Sequence, residues 1–405
     1  MPAPKVLLVA NTSWYLHNFR LPLLRDLRAA GYQVEAVAPH DSYTKLLQAE
    51  GFTVHPWLVA RRSINPLREA HALVDLLRIV RREQPDLVHH FTIKACLYGT
   101  VAAKLAGVPR VINAVTGLGH MFLGSRKRTR LLRLALKPLY RAVFKARRST
   151  VVFQNAADQE HLIQLGITDG ERAELIRGSG VDIAYFDPQA LPNPDSLPGA
   201  ESRQPGGFHR PVRLLFPSRL INEKGVRELL EACRALWASG AALELLVAGA
   251  LDDGNRSSLT PAELADLRAE PRIRCLGHVA DMRALYASSD LVVLPSWREG
   301  LSRALIEAAA MERPIITTEV PGCRDVIDHG ACGLLVPVKD PDALRLAISL
   351  LLKQPQLARQ FGQAARRKVV QEFAVSLVNQ RTLETYRRLL PLAGGDQTTV
   401  IRRPS

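Results

Sequence analysis

Short apolar runs alternate with longer amphipathic segments along most of this chain. The first run, residues 5–10 (KVLLVA), has the pattern of a buried strand, and the helical spacing over residues 21–30 ends at Gly31. Strands that alternate with helices are typical of parallel sheets, so the pattern predicts successive βαβ units. The predicted strands cover residues 5–10, 33–38, 86–89, 110–114, 150–153, 212–217, 243–248, 273–276, 291–294, 314–318 and 333–336.

One stretch interrupts this alternation. Residues 187–211 contain six prolines and three glycines without periodicity, which predicts an irregular linker. Open parallel sheets bind ligands beyond the carboxyl ends of their strands, so two such domains predict a site in a cleft between them. The expected organisation is a Rossmann-like domain over residues 1–186, the linker, a second Rossmann-like domain over 212–372, a helix over 373–391 that packs back on the first domain, and a tail over 392–405.

Composition is that of a globular protein, but the charge is uneven. Of 405 residues, 47% are hydrophobic and 23% are charged, close to the average for soluble domains. Residues 1–150 hold 24 lysines and arginines against 8 acids, a net charge of +16, whereas the remaining 255 residues carry −1. This asymmetry predicts an anionic partner for the first half: nucleic acid, an acidic membrane or a phosphorylated ligand.

Cysteine usage and hydropathy favour an intracellular protein without a membrane span. The five cysteines are far apart and form no C-x-x-C pair, which argues against a disulfide scaffold and a Cys-based zinc site. The start, MPAPKVLLVAN, is typical of a first strand rather than a signal peptide. No run reaches the ~18 apolar residues that a spanning helix needs.

Two acids mark the stretch that is richest in candidate chemistry. A strand runs into the loop SWREG, and a helix is expected to begin near Leu301. Glu299 precedes this helix and Glu307 lies about two turns inside it, roughly 12 Å away at ~1.5 Å per residue. That separation is too large for an acid–base dyad and suits two points on one extended ligand. Between the acids, at the positive end of the helix, a phosphate would meet the N–H groups of Gly300, Leu301 and Ser302.

The motifs around these acids resemble a known family. The run S-W-R-E-G-L-S-R-A-L-I-E-A-A-A, followed by R-P-I-I-T-T-E-V-P-G-C-R-D-V-I and G-L-L-V-P, is similar to the signature of family 4 retaining glycosyltransferases. The resemblance continues in P-S-R-L-I-N-E-K-G-V (217–226), L-L-V-A-G (245–249) and L-G-H-V-A-D-M (276–282). It implies the GT-B fold, two Rossmann-like halves with a cleft between them. V-T-G-L-G-H-M-F (115–122) and P-G-C-R-D resemble bacterial transferases that act on polyprenyl-diphosphate-linked saccharides.

The resemblance implies donor-binding roles in the second half. Arg219 and Lys224 would neutralise the donor diphosphate, as two cations just after a strand can also do on chemical grounds. Glu307 resembles the acid that binds the ribose hydroxyls of the donor in the family, and Glu299 resembles the acid that contacts the transferred sugar. An ordinary surface role is the alternative for each of these charges, and a structural role is equally expected for His278. The remaining donor-binding candidates are Gly249, His278, Gly300, Leu301 and Ser302.

In the first half, the resemblance implies a catalytic histidine and an acceptor site. His120, in a glycine-rich loop after RVINAV, matches a histidine that approaches the donor sugar in the family, and a structural role is the alternative. The first loop, NTSWYLHNFR, lacks the Gly-Gly pair of relatives, so it is expected to face a phosphorylated acceptor instead. His90, in HHFTIKA, is expected to do the same. The acceptor-binding candidates are Asn18, Arg20, Lys94 and Gly117.

A basic segment predicts contact with a membrane surface. Residues 125–149 contain ten cations and no acid, with cations and leucines on different faces of a helix that Pro138 should kink or divide in two. Such a face suits an anionic bilayer, and the alternative is a solvated helix whose apolar stripe packs on the sheet. Nucleic acid is disfavoured because aromatic content is only 6% and recognition motifs are missing. The expected membrane contacts are Arg126, Lys127, Arg130, Arg133, Lys137 and Arg141.

Together these observations predict a retaining glycosyltransferase. It would move a hexose or N-acetylhexosamine from a UDP-sugar to a lipid-diphosphate-linked saccharide in bacterial surface polysaccharide or glycan assembly, at the cytoplasmic face of the cell membrane. Asp252 and Asp253 are adjacent in an expected loop and do not form an Asp-x-Asp metal motif, so no metal is expected, and no cofactor beyond the nucleotide-sugar donor. The alternatives are a non-catalytic sugar- or membrane-binding protein and a nucleotide-sugar epimerase, both of the same fold.

Overall fold

The structure is a computed structural model that describes residues 2–60, 63, 65–117, 127–146, 148–190 and 211–392, with the side chains of residues 127–135 excepted. It divides into two compact units, Met1–Ser179 with Val378–Ser405, and Gly180–Leu377. The sequence pattern places the end of the first domain at residue 186. Residues after 179 pack on the second unit because the N–H of Val181 donates to the carbonyl of Phe373 (2.9 Å).

Seven parallel strands form the sheet of the first unit, in the order β3-β2-β1-β4-β5-β6-β7. The strands are β1 (Lys5–Ala10), β2 (Gln33–Ala38), β3 (Thr53–Pro56), β4 (Leu87–Phe91), β5 (Arg110–Val115), β6 (Ser149–Phe153) and β7 (Ala173–Leu175). The helices are α1 (Leu21–Ala29), α2 (Ser42–Ala49), α3 (Pro66–Glu83), α4 (Ile93–Ala106), α5 (Lys127–Phe144) and α6 (Ala156–Gln164), with a π-helical turn at Leu16–Arg20 before α1.

Six parallel strands form the sheet of the second unit, in the order β10-β9-β8-β11-β12-β13. They are β8 (Val212–Phe216), β9 (Leu243–Val247), β10 (Ile273–Cys275), β11 (Leu291–Leu294), β12 (Ile315–Thr318) and β13 (Leu334–Val336). A 3₁₀ turn at Asn222–Lys224 precedes the helices α7 (Val226–Ala238), α8 (Pro261–Ala269), α9 (Arg283–Ser288), α10 (Arg303–Ala310), α11 (Pro341–Lys353) and α12 (Pro355–Glu372). The two parallel sheets confirm the predicted α/β class.

A final helix, α13 (Val375–Leu389), returns to the first unit. The hydroxyl of Tyr386 lies 2.9 Å from Nδ1 of His89 on β4, and Asn379 donates to Asp26 on α1 (2.7 Å). The helix thereby covers one face of the first sheet. No helix in the described part of the chain has both the length and the apolar character that a membrane span requires.

Local signals set the starts of several helices. Asp41 and Thr44 form a capping box at α2, and Thr260 and Glu263 form another at α8. At α3, the side chain of Asn65 accepts the N–H of Leu67, and a proline occupies the first helical position. These caps satisfy backbone donors that the first helical turn leaves without partners.

An ionic cluster joins β1, β2 and β3 to the end of α3. Lys5 donates to Oε2 of Glu83 (2.7 Å) and lies 3.2 Å from Oε1 of Glu35, whose other oxygen is 2.7 Å from Nε2 of His55. Glu35, His55 and Glu83 could each offer a ligand atom to a metal, but the Lys5 ammonium supplies the positive charge among them. The hydrogen bond from Lys5 lowers the pKa of Glu83 to about 2.

Replacing Glu83 with glutamine should destabilise the first unit in a pH-dependent way. The folded pKa lies below the ordinary value of 4.5, so the carboxylate stabilises the fold above that value and loses its effect as the pH falls toward about 2. The urea midpoint of Glu83→Gln should therefore lie below that of the wild type at neutral pH, and the gap should close on acidification. Glu160→Gln, an exposed change on α6, is the control, and a gap that stays constant with pH would contradict the assignment.

Candidate functional site

The strand order of the second unit places two loops side by side. Successive strands are added to one side of β8 up to β10 and to its other side from β11 onward, while all strands stay parallel. Open parallel sheets bind ligands outside the carboxyl ends of the strand pair at which this order reverses. β8 leads into the loop that carries Arg219 and Lys224, and β11 leads into the loop that carries Glu299. Three of the four predicted catalytic residues therefore follow these two neighbouring strands.

Lys224 and Glu299 form an ion pair. Nζ of Lys224 lies 2.5 Å from Oε1 of Glu299, the two side chains are only 17% and 12% exposed, and Oγ of Ser296 donates to the same oxygen at 2.8 Å. Gly225 allows this approach, since its φ is +73° and an added Cβ would overlap the carbonyl oxygen of Pro295. The pair puts a cation and a carboxylate in one place, where the cation can bind an anionic group and the carboxylate can accept hydrogen bonds from hydroxyl groups.

Arg219 is held by an acid that the sequence analysis does not select. Its Nη1 donates to Oδ2 of Asp252 at 2.5 Å, and its side chain remains half exposed. The main chain beside Arg219 packs directly on Gly249, where an added Cβ would overlap the carbonyl oxygen of Ser218. Gly249 therefore fixes the path of the Arg219 loop.

Glu307 lies in α10 with two partners of its own. Nε of Arg303 donates to Oε1 of Glu307 (2.7 Å), and the hydroxyl of Tyr286 lies 3.4 Å from Oε2. Burial raises the pKa of Glu307, and the neighbouring Arg303 opposes this effect. The carboxyl group is thus held in the second turn of the helix, five residues from its N-cap, Ser302.

The helix that the sequence predicts to begin near Leu301 begins two residues later. Helix α10 begins at Arg303, with Ser302 as its N-cap, and the N–H of Ser302 donates to the carbonyl of Gly322 (3.2 Å). That N–H is therefore already bonded and does not face a phosphate. Gly322 lies in the P-G-C-R-D turn, and a Cβ there would come within 2.8 Å of the Glu299 carbonyl oxygen. The glycine in this turn is the signal for a contact that the sequence analysis overlooks.

The remaining predicted donor-binding residues, Gly300, Leu301 and His278, lie in loops of the second unit. Gly300 and Leu301 belong to the loop between Glu299 and α10. His278 is exposed in the loop after β10, and the hydrogen bonds and ion pairs found among the described residues do not join it to Arg219, Lys224 or Glu299.

In the first unit, Arg20 is a buried cation. It is 4% exposed, donates to the hydroxyl of Tyr15 (3.0 Å) and the carbonyl of Gly178 (3.3 Å), and lies 4.6 Å from the centre of the Phe91 ring. Within the described ranges no carboxylate forms an ion pair with it. Asn18, two residues earlier, donates to the carbonyl of Trp14 (2.9 Å). Both residues lie between β1 and α1, beyond the carboxyl end of β1.

Lys94 and His90 have structural partners. The Lys94 ammonium donates to the carbonyls of Ala60 (2.9 Å) and Ser63 (2.7 Å) and contacts Glu69 at 2.8 Å, so its three N–H groups have partners in this conformation. His90 is fully buried, which lowers its pKa to about 4, and the prediction that it faces an acceptor is wrong. Gly117, with φ +137°, follows the end of β5.

Several predicted catalytic and membrane-contact residues lie outside the described part of the chain. His120 and Arg126 lie outside the described residues, as do the side chains of Lys127, Arg130 and Arg133. The basic segment is one helix, α5, with Pro138 inside it. Its last turns bury Tyr140, Val143 and Phe144 against the core that includes Phe153, whereas Arg141 is exposed and Lys137 half buried. The apolar stripe in this part packs on the sheet, as the alternative interpretation expects.

Comparisons with known proteins match both units. The family model described as "Glycosyl transferase 4-like" matches residues 5–155, and the model described as "Glycosyl transferases group 1" matches residues 211–354. The second range includes Arg219, Lys224, Glu299 and Glu307.

Two named relatives are similar over most of the chain. A Campylobacter jejuni protein named N,N'-diacetylbacillosaminyl-diphospho-undecaprenol alpha-1,3-N-acetylgalactosaminyltransferase is 25% identical over 381 residues, 93% of this chain and 96% of that protein. An Escherichia coli protein named UDP-Gal:alpha-D-GlcNAc-diphosphoundecaprenol alpha-1,3-galactosyltransferase is 24% identical over 315 residues, 78% of each chain.

Two solved structures have the same architecture. A glycosyltransferase from Rickettsia africae superposes with a TM-score of 0.77 at 22% identity, covering 97% of this chain and 100% of that one. HepE from Anabaena, crystallised with UDP and glucose, superposes with a TM-score of 0.73 at 20% identity, covering 94% and 98%. At these identities the likeness shows the fold alone, and it confirms the predicted architecture.

Proposed function

Because the chain belongs to the family 4-like glycosyltransferases of the GT-B fold, we propose that it transfers a hexose or N-acetylhexosamine from a UDP-sugar to a lipid-diphosphate-linked saccharide, with retention of anomeric configuration. The observation that carries this proposal is the Lys224–Glu299 pair beyond β8 and β11, with Arg219 on the same loop as Lys224. The names of the Campylobacter and Escherichia coli relatives support the class of acceptor.

The chemistry of these residues suits departure of a nucleoside diphosphate. As the bond between the sugar C1 and the phosphate oxygen breaks, Lys224 and Arg219 neutralise the charge that develops on the diphosphate. Glu299 contacts the sugar, and the Glu307 carboxylate accepts hydrogen bonds from the ribose hydroxyls. The acceptor oxygen bonds to C1 on the same face, and its proton passes to the departing diphosphate. None of these steps needs a metal or a cofactor besides the donor.

The first unit is the proposed acceptor side. Arg20 is a buried cation, and in the described part of the chain it contacts a hydroxyl, a carbonyl and an aromatic ring. A buried cation with these neutral partners is suited to bind an anionic acceptor group. The exposed Arg141 and the other cations of α5 would approach an anionic membrane surface from the cytoplasmic side. This placement fits an acceptor anchored in lipid and bacterial polysaccharide assembly, with no role for nucleic acid.

A matrix of donors and acceptors tests the proposal. Purified protein is incubated with UDP-, GDP- and ADP-sugars, each with and without a polyprenyl-diphosphate-linked monosaccharide, and products are identified by mass spectrometry. We expect a lipid-linked disaccharide with a UDP-sugar, and its anomeric configuration by NMR tests retention. A new nucleotide-sugar formed without acceptor would indicate the epimerase, and binding without turnover in every mixture would indicate the non-catalytic protein.

A further inference from the structure

Trp297 joins the loop that carries Glu299 to the turn that carries Lys224. Its backbone N–H donates to the carbonyl of Glu223 at 2.8 Å, and its indole Nε1–H donates to Oε1 of Glu228 at 3.0 Å. Glu223 directly precedes Lys224, and Glu228 lies in the first turn of α7. The loop after β11 is therefore fixed at two points to the segment that follows β8.

Other contacts hold the indole in this position. Nζ of Lys339, in the loop after β13, lies 4.1 Å from the centre of the Trp297 ring. Oε2 of Glu228 is buried without a hydrogen-bond partner. A buried oxygen without a partner costs free energy. The carboxylate of Glu228 is held there at this cost, and its other oxygen accepts the hydrogen bond from the indole.

The geometry points to Trp297 and Glu228 as positioning residues for the Lys224–Glu299 pair, an inference that rests on the proposed function of that pair. Glu299 is two residues beyond Trp297, and its Oε1 meets both Lys224 and Ser296. A shift of the loop would separate Glu299 from Lys224 even though neither side chain changes. Misplacement by about 1 Å can cost about 100-fold in rate.

Three substitutions separate the hydrogen bond from the packing. Trp297→Phe removes the indole N–H and keeps an aromatic ring, Glu228→Ala removes the acceptor, and Glu228→Gln keeps an acceptor oxygen. We expect Trp297→Phe and Glu228→Ala each to lower kcat at least tenfold while KM for the donor changes less than about threefold. Glu228→Gln should retain most of the activity. The double variant should be no slower than either single one, because both remove the same bond.

Control measurements distinguish the possible failures. Glu231→Ala, three residues along α7 and exposed, should leave kcat unchanged. The indole signal of Trp297 in a ¹⁵N–¹H spectrum, assigned through Trp297→Phe, should shift in Glu228→Ala. An active wild type whose kcat is unaffected by Trp297→Phe and Glu228→Ala, or affected additively, would overturn the positioning role. A wild type that transfers no sugar, with the Glu228-dependent indole signal intact, would overturn the proposed function on which that role rests.

Discussion

Replacing Lys224 with methionine should lower kcat for sugar transfer by about 10²- to 10³-fold, the usual loss when one preorganised donor to a developing anion is removed. Methionine keeps an unbranched apolar side chain and removes the ammonium that pairs with Glu299. The departing diphosphate then loses one of its two proposed counter-charges, while Glu307, the proposed contact of the ribose, is untouched. Steady-state kinetics with the active donor and acceptor measure the loss, and UDP titration by calorimetry measures the change in ground-state binding.

A second substitution separates this effect from stability. Lys224→Met leaves the Glu299 carboxylate, only 12% exposed, with Ser296 as its remaining hydrogen-bond partner in the described part of the chain. This loss should cost about 1–3 kcal/mol of unfolding free energy. Lys224→Met/Glu299→Gln removes both charges and should regain most of that stability without regaining activity. Full transfer activity in Lys224→Met would refute the assignment of this pair to the donor site.

The fold was accessible from the sequence wherever a strand is buried on both faces. Runs such as residues 5–10 and 291–294 are continuous and apolar, and each forms a strand. Both edge strands of the first sheet were missed, because β3 (TVHP) and β7 (AEL) are too short and too polar to form such a run. The sequence pattern ended the first domain at residue 186, whereas the first unit ends at Ser179. The difference arises because the contact between Val181 and Phe373 joins residues that no local pattern relates.

The candidate site could be proposed from the sequence as a set of residues but not as a set of pairs. The family resemblance selected Arg219, Lys224, Glu299 and Glu307, yet Lys224 and Glu299 are 75 residues apart in the chain, and Arg219 and Asp252 are 33 apart. Asp252 belongs to no apolar pattern or recognised motif, so its role follows only from the turn after β9. For Lys94, a cation at a helix start looks available in sequence, and only the fold shows that its three N–H groups already have partners.

Gly249→Ala should have the second large effect, through the main chain rather than through charge. The atoms nearest to an added Cβ are the carbonyl of Ser218 and the backbone nitrogen of Arg219, at 3.0 Å for the latter, so no side chain can rotate away to make room. We expect a loss of about 3 kcal/mol or more in unfolding free energy, the upper part of the range for overpacking.

The displaced backbone should also weaken donor binding beyond what the loss of stability explains. Arg219 follows Ser218 directly, so a shift that relieves the overlap moves the guanidinium away from its place beside Asp252. Calorimetry at a temperature where Gly249→Ala is still folded should therefore show weaker UDP binding as well as a lower Tm in a thermal scan. Gly170→Ala, whose added Cβ meets nothing within 4 Å, controls for a glycine replacement without overlap. If Gly249→Ala kept the wild-type Tm and UDP affinity, the Arg219 loop would not depend on this close approach, and its position would have to be set by Asp252 alone.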